Sequence, residues 1–156
     1  MQNTVRAITL LLALTGSAAA TEWSATTVRG EPGIRYEGTG FGVIISCNNS
    51  GNFDAVLITD KANFSDKWGG MLRTGSMVIM SDRDPTVRRN AYREDDTGQF
   101  ASFASVLFAE HVAAAAKAAG SVSFVLVEGE DEVSFVADAE ARGFAEESRD
   151  LISSCS

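Results

Sequence analysis

Apolar and polar residues follow two different rhythms along this chain. Short apolar runs with strand-like alternation dominate the middle, bounded by turn residues. Residues 41–47 are rich in β-branched side chains. Asn48-Asn49-Ser50-Gly51-Asn52 then supplies turn chemistry, and 53–59 reads as the returning strand of a hairpin. Residues 76–80 form a third strand. Asp82-Arg83-Asp84-Pro85 turns the chain into a strand over 87–93, and Asp95-Asp96-Thr97-Gly98 turns it into another over 100–103. Residues 21–33, with Gly30 and Pro32, read as an irregular lead-in.

The rhythm changes after residue 103. Residues 104–119 are rich in alanine, with Phe108, Val112, Ala115 and Ala116 at helical spacing and Gly120 in C-cap position. Strands return at 121–127 and 133–137, around the charged loop 128–132. A second helix is predicted over 140–153, where Ala141, Phe144, Ser148, Leu151 and Cys155 recur at steps of three and four. The fold class is mainly β with two helices (α+β). The expected form is an antiparallel β-sandwich or partly open barrel with the C-terminal helix packed on it. No repeat or linker divides residues 21–156, which are expected to form one domain.

The amino-terminal twenty residues follow a third pattern. Arg6 precedes the apolar run Ala7-Ile8-Thr9-Leu10-Leu11-Leu12-Ala13-Leu14, and Ala18-Ala19-Ala20 places small side chains at a cleavage position. These are the parts of a secretory signal peptide. The apolar stretch over residues 7–20 falls short of the ~20 residues that span a bilayer. The chain is expected to be periplasmic or secreted and cleaved near Ala20, with no membrane span.

Charge and cysteine usage sharpen that expectation. The chain carries 13 basic and 21 acidic side chains, a net charge of −8; removal of Arg6 with the signal makes it −9. Such acidity repels polyphosphate and disfavours nucleic acid as a partner. Cys47 and Cys155 are the two cysteines, and an oxidising compartment favours a disulfide between them. There is no Cys-x-x-Cys, and one histidine does not complete a zinc site. No cofactor or metal is expected.

Few residues suggest chemistry. Arg83, Arg88, Arg89 and Arg93 place four cations within eleven residues. On one strand Arg89 and Arg93 share a face and Arg88 takes the other. They form a candidate patch for an anionic ligand or acidic partner, set against simple pairing with Asp82, Asp84, Glu94, Asp95 and Asp96. Trp68, beside Gly69-Gly70, joins the patch as a candidate stacking platform, set against ordinary packing. His111 beside Glu110 has the chemistry of a general base but no Gly-x-Ser-x-Gly elbow to serve; a surface or helix-end position is the simpler reading. Glu128, Glu130, Asp131 and Glu132 lack the order of a calcium loop, and Asp82 and Asp84 read as turn formers. No catalytic residue is assigned.

Trp23, the run Ile44-Ile45-Ser46-Cys47-Asn48-Asn49, Gly143-Phe144-Ala145, and Leu151 with Cys155 make up an outline. It resembles the invasion-associated-locus-B-like proteins and the VasI-type accessory proteins of type VI secretion, small periplasmic proteobacterial proteins. The chain departs from it by ending one residue after Cys155 and by lacking a further cysteine pair. The resemblance implies a non-enzymatic envelope protein and transfers no catalytic residue. The expected function is a non-enzymatic protein-interaction or envelope accessory module with a protein partner. The alternatives are an acidic inhibitor or binder of a cationic enzyme such as lysozyme, and a small hydrolase. Expression in a bacterial host with an export pathway should yield a chain whose first residue is Thr21; amino-terminal sequencing that returns Met1 or Gln2 overturns the export reading.

Overall fold

The computed structural model describes residues 22–63 and 75–155. The export segment and Trp68 lie outside them. Within them, ten strands form two antiparallel sheets. One sheet contains β1 (Ser24–Val28), β2 (Glu31–Gly38), β3 (Phe41–Cys47), β4 (Phe53–Asp60), β7 (Tyr92–Asp96) and β8 (Phe100–Leu107), in the order β1-β2-β3-β4-β8-β7. The other contains β5 (Ser76–Ser81), β6 (Asp84–Asn90), β9 (Ser121–Glu128) and β10 (Glu132–Glu140), in the order β10-β9-β5-β6. The helices are α1 (Ala109–Ala115) and α2 (Phe144–Ser154). The result is the sandwich of the two expected forms, with no closed barrel.

Alternation makes the core. In β4, Phe53, Ala55, Leu57 and Thr59 are buried while Asp54, Val56 and Ile58 are only half-buried. Register carries the same parity into β3 and β8, so Val43 lies opposite Leu57 and Leu57 opposite Phe103, all three fully buried. Met77, Ile79, Val122, Phe124 and Leu126 face them from the second sheet. The predicted turn at Asn48 holds the β3–β4 hairpin: Asn48 Oδ1 accepts the amides of Ser50 and Asn52, while its Nδ2 donates to Asp54.

Three expectations are corrected. The lead-in expected over 21–33 is instead, from Ser24 on, part of the β1–β2 hairpin, which turns at Arg29 and Gly30, both at positive φ. Pro32 fits because pairing of β2 with β3 begins one residue later, at Gly33 opposite Ser46, so its missing N–H interrupts no bond to β3. Residues 104–107 are strand, not helix: Ser105 and Leu107 lie opposite Ala55 and Phe53, and tertiary pairing overrides alanine's helix propensity. Helix α1 caps at Ala116, so Gly120 is not its C-cap. The single strand over 87–93 is two strands in different sheets. Buried Ala91 lies between them, and the chain crosses from one sheet to the other there.

That crossing closes one flank of the sandwich. The opposite flank, bounded by β1 and β10, is filled by Trp23 and α2. The Trp23 ring is 4.7 Å from Phe144, 5.5 Å from Tyr36 and 6.2 Å from Phe124. Its Nε1 donates to the carbonyl of Glu140 at 2.9 Å, and its backbone N–H donates to Arg142 at 3.1 Å. Helix α2 buries Phe144, Ser148 and Leu151, the predicted stripe. One turn further on, Cys155 is disulfide-bonded to Cys47 at the end of β3, with Cα atoms 5.6 Å apart. Closing 108 residues of chain this way contributes about 4–5 kcal/mol in the chain-entropy picture. Trp23 thus plugs a flank, Asn48 ties a hairpin, and the cysteines join two elements.

Gly143 makes the junction possible. Its φ is +80°, and a Cβ there would lie 2.9 Å from the Trp23 carbonyl oxygen. Gly143→Ala should lower stability by about 2–4 kcal/mol, from left-handed strain and the clash together. Urea unfolding followed by Trp fluorescence measures it; an unchanged midpoint would show that the junction yields.

Candidate functional site

The four arginines do not form one patch. Because the chain changes sheet at Ala91, Arg88 and Arg89 belong to β6 and Arg93 to β7, so Arg89 and Arg93 do not share a strand face. Arg83 sits in the two-residue β5–β6 turn, exposed, at φ +73°. Arg88 lies on the outer face of the four-stranded sheet. Its Nε donates to Ser76 Oγ at 2.9 Å, one Nη donates to the Glu130 carbonyl at 2.7 Å, and the other stands 3.8 Å from Asp131. It straps the β9–β10 hairpin tip to β5, and Val127, paired with Ser76, is buried although its register faces outward. Arg93 pairs with Asp96 at 3.3 Å, which Lys61 also reaches at 3.1 Å. Pairing with nearby acids therefore accounts for Arg93, while Arg88 finds Asp131 rather than an acid of the 82–96 stretch.

Arg89 differs. Its guanidinium lies over the Phe108 ring at 4.6 Å from the centroid, and its Nε donates to the Val106 carbonyl at 3.2 Å. Among the described residues no carboxylate lies within ion-pair distance of it. Phe108 and Val106 are 37% and 36% exposed, and Tyr92 is 38% exposed. Tyr92 pairs with Ala104, which places it diagonally across from Val106 on the outer face of the six-stranded sheet. Burial, with the charges of Asp54 and Glu94, pushes the Tyr92 hydroxyl above its ordinary range. The strand-to-helix change at Leu107–Ala109 exposes Phe108, and the chain crossing at Ala91 brings Arg89 to it. Sequence reasoning missed Tyr92, Val106 and Phe108; an aromatic at an outward strand parity next to a helix start is the signal that marks them.

His111 borders this cluster, its ring centroid 5.2 Å from that of Phe108. Its Nδ1 accepts the Phe108 backbone N–H at 3.2 Å, capping the first turn of α1, and its Nε2 is 3.7 Å from Glu110. It occupies the helix-end position favoured from the sequence. Asp82 is engaged as well. Its carboxylate accepts the amides of Ala119, Gly120 and Ser121 at 2.8, 2.6 and 3.0 Å. The β5–β6 turn, with Asp82 and Arg83 both at positive φ, aims it at them. Among the described residues no group of three or more His, Cys, Asp or Glu is placed to hold a metal ion. An open cleft of about 460 Å³ lies beside Asp60, Lys61, Gly98 and Phe100. No described helix is long and apolar enough to cross a membrane.

No protein-family model, curated protein or solved structure matches the chain.

The three amides hold the Asp82 carboxyl below its ordinary value of 3.8. A depressed folded-state pKa contributes stability above the unfolded value and loses it as pH falls through the folded one. Asp82→Asn should therefore be less stable than the parent at neutral pH, and the difference should shrink below about pH 4. Asp96, lowered by the Gly98 amide and Lys61, titrates in the same direction in both proteins and cancels from the comparison. Unfolding midpoints across that range test it; a pH-independent difference would remove the charge from the explanation.

Proposed function

We propose that this chain is an extracytoplasmic protein-interaction module that acts by binding rather than by catalysis. The observation that carries the reading is the Arg89–Phe108 stack, with Val106 and Tyr92 beside it. Arginine and aromatic side chains are enriched among the few residues that carry most of the binding energy at protein interfaces, where they pack into desolvated sites. Here the cation is oriented in advance by the Val106 carbonyl and the ring, so little ordering is left for binding. The disulfide, the signal-like amino terminus and the acidity support an oxidising, exported setting. The candidate catalytic groups support binding as well: His111 caps a helix and Asp82 ties a turn to a loop.

A photo-crosslinking amino acid placed at Tyr92 should capture one discrete partner in cells that naturally express the chain. Arg89→Ala or Phe108→Ala, introduced with it, should reduce that product by about tenfold or more. Capture that is unaffected by either substitution, or no discrete product, overturns the reading.

A further inference from the structure

The guanidinium of Arg89 keeps most of its hydrogen-bonding capacity unused. Arginine carries five N–H donors. The one on Nε donates to the Val106 carbonyl at 3.2 Å, and among the described residues neither Nη has an acceptor. Both Nη atoms remain open to solvent. Arg83, Arg142 and Arg149 also lack an ion pair, but they are exposed and water solvates them. Arg89 is half-buried, so the Phe108 ring has replaced part of its hydration. A partly desolvated cation attracts an anion more strongly than one in bulk water.

Geometry narrows the choice of anion. The Val106 bond fixes one side of the planar guanidinium, and the ring 4.6 Å away limits its tilt. What is left is the edge formed by the two Nη, whose parallel donors fit the two oxygens of one carboxylate. Acids stand around the site. Asp54 lies opposite Val106 in the sheet register, Glu94 follows Tyr92 by two residues in β7, and Glu110 lies 3.7 Å from His111. With a chain charge of −8 they oppose a polyphosphate or a run of acids, whereas a single carboxylate gains the fork and meets less repulsion.

Nor is the site built for a chain terminus. Capture of a terminal carboxylate uses a nest of free backbone N–H groups. Here the Phe108 N–H is already bonded to His111 Nδ1. Beside the fork, Val106, Phe108 and Tyr92 offer exposed apolar surface. We infer that Arg89 receives the side-chain carboxylate of one Asp or Glu in an otherwise uncharged, apolar segment of a partner protein, whose flanking side chains cover Val106 and Tyr92. The inference rests on the interaction-module reading and names what the partner presents to it.

The probe is a capped peptide, acetyl-Ser-Leu-Asp-Leu-Tyr-Ser-amide, titrated to millimolar concentration into isotope-labelled protein at about 0.15 M salt, where exposed charge is largely screened beyond ~8 Å. The backbone resonances of Arg89, Val106 and Phe108, and the Arg89 Nε–H resonance, should shift saturably. Asn in place of the peptide's Asp should weaken binding at least about tenfold, because only the charged acceptor fills the fork. A peptide whose sole carboxylate is its free C-terminus should bind as weakly as the Asn peptide, and one with Asp at every serine and leucine should bind no tighter than the single-Asp probe. Arg89→Lys should weaken the Asp peptide by about fivefold or more and leave the Asn peptide unchanged. A variant that merely fails to fold would lose both peptides alike, and the comparison of peptides on the parent chain needs no variant. Equal binding of Asp and Asn peptides, tighter binding of the multiply acidic or free-terminus peptide, an Arg89→Lys variant equal to the parent, shifts confined to other residues, or no saturable shift each overturns the inference. Should that occur while partner capture still depends on Arg89, the interaction-module reading stands without the carboxylate. Should capture also be indifferent to Arg89→Ala and Phe108→Ala, both fall.

Discussion

The indole of Trp23 sits where both sheets and the last helix meet; its Nε1 donates to the Glu140 carbonyl at the end of β10, and the Trp23 backbone N–H donates to the Arg142 carbonyl just before α2. A sandwich of two sheets has two flanks through which water can reach the core. One is closed by the chain itself as it passes from β6 through Ala91 into β7. The other has no such continuity, and a single large ring fills it. Truncation of buried aromatic rings costs about 3–5 kcal/mol in general, the same scale as the disulfide's contribution. Neither would serve without Gly143, the position that lets the α2 entrance approach the Trp23 carbonyl. Helix α2 is therefore held at both ends, by the ring at Phe144 and by the bond at Cys155.

Much of this is legible in the residues. The β3–β4 hairpin follows from an alternating pattern around Asn48–Asn52, and the α2 stripe from spacing of three and four. Where the reading fails, a local preference is overruled by distant pairing. Residues 104–107 contain helix-favouring alanine and leucine, yet β4 offers them a ladder that propensity cannot foresee. Thr26, Thr27 and Val28 look like lead-in because Gly30 and Pro32 dominate the local signal, although both are tolerated at a hairpin turn and strand start. The split at Ala91 carries no glycine or proline, only Asn90 before it. It is one small buried side chain at the crossing point, and it undoes the expectation that the arginines form one patch.

The surface follows from the same geometry. Polar groups that look chemical in the sequence are largely occupied with local structure: Asp82 with three amides, His111 with a helix end, Arg88 with a hairpin tip. Ser123 and Asp138 are hydrogen-bonded across β9 and β10, another polar pair used within the sheet. Among the exposed residues are apolar and aromatic ones, at Tyr92, Val106 and Phe108 around one sheet and at Val133 and Val136 on the other. Each cluster traces to an irregularity in a strand: the change from strand to helix in one case, a register slip in the other.

The bond between Cys47 and Cys155 has a topological consequence besides its energy. It closes the chain from Cys47 to Cys155 into a covalent ring, with β1, β2 and all of β3 but its last residue outside it. A single peptide-bond cut between residues 48 and 154, whether at the β9–β10 tip or at the 97–99 turn, opens the ring without releasing a fragment. Among proteases, the ring keeps all its parts after one nick within it, and two such cuts are needed before any piece of β4 to α2 can leave.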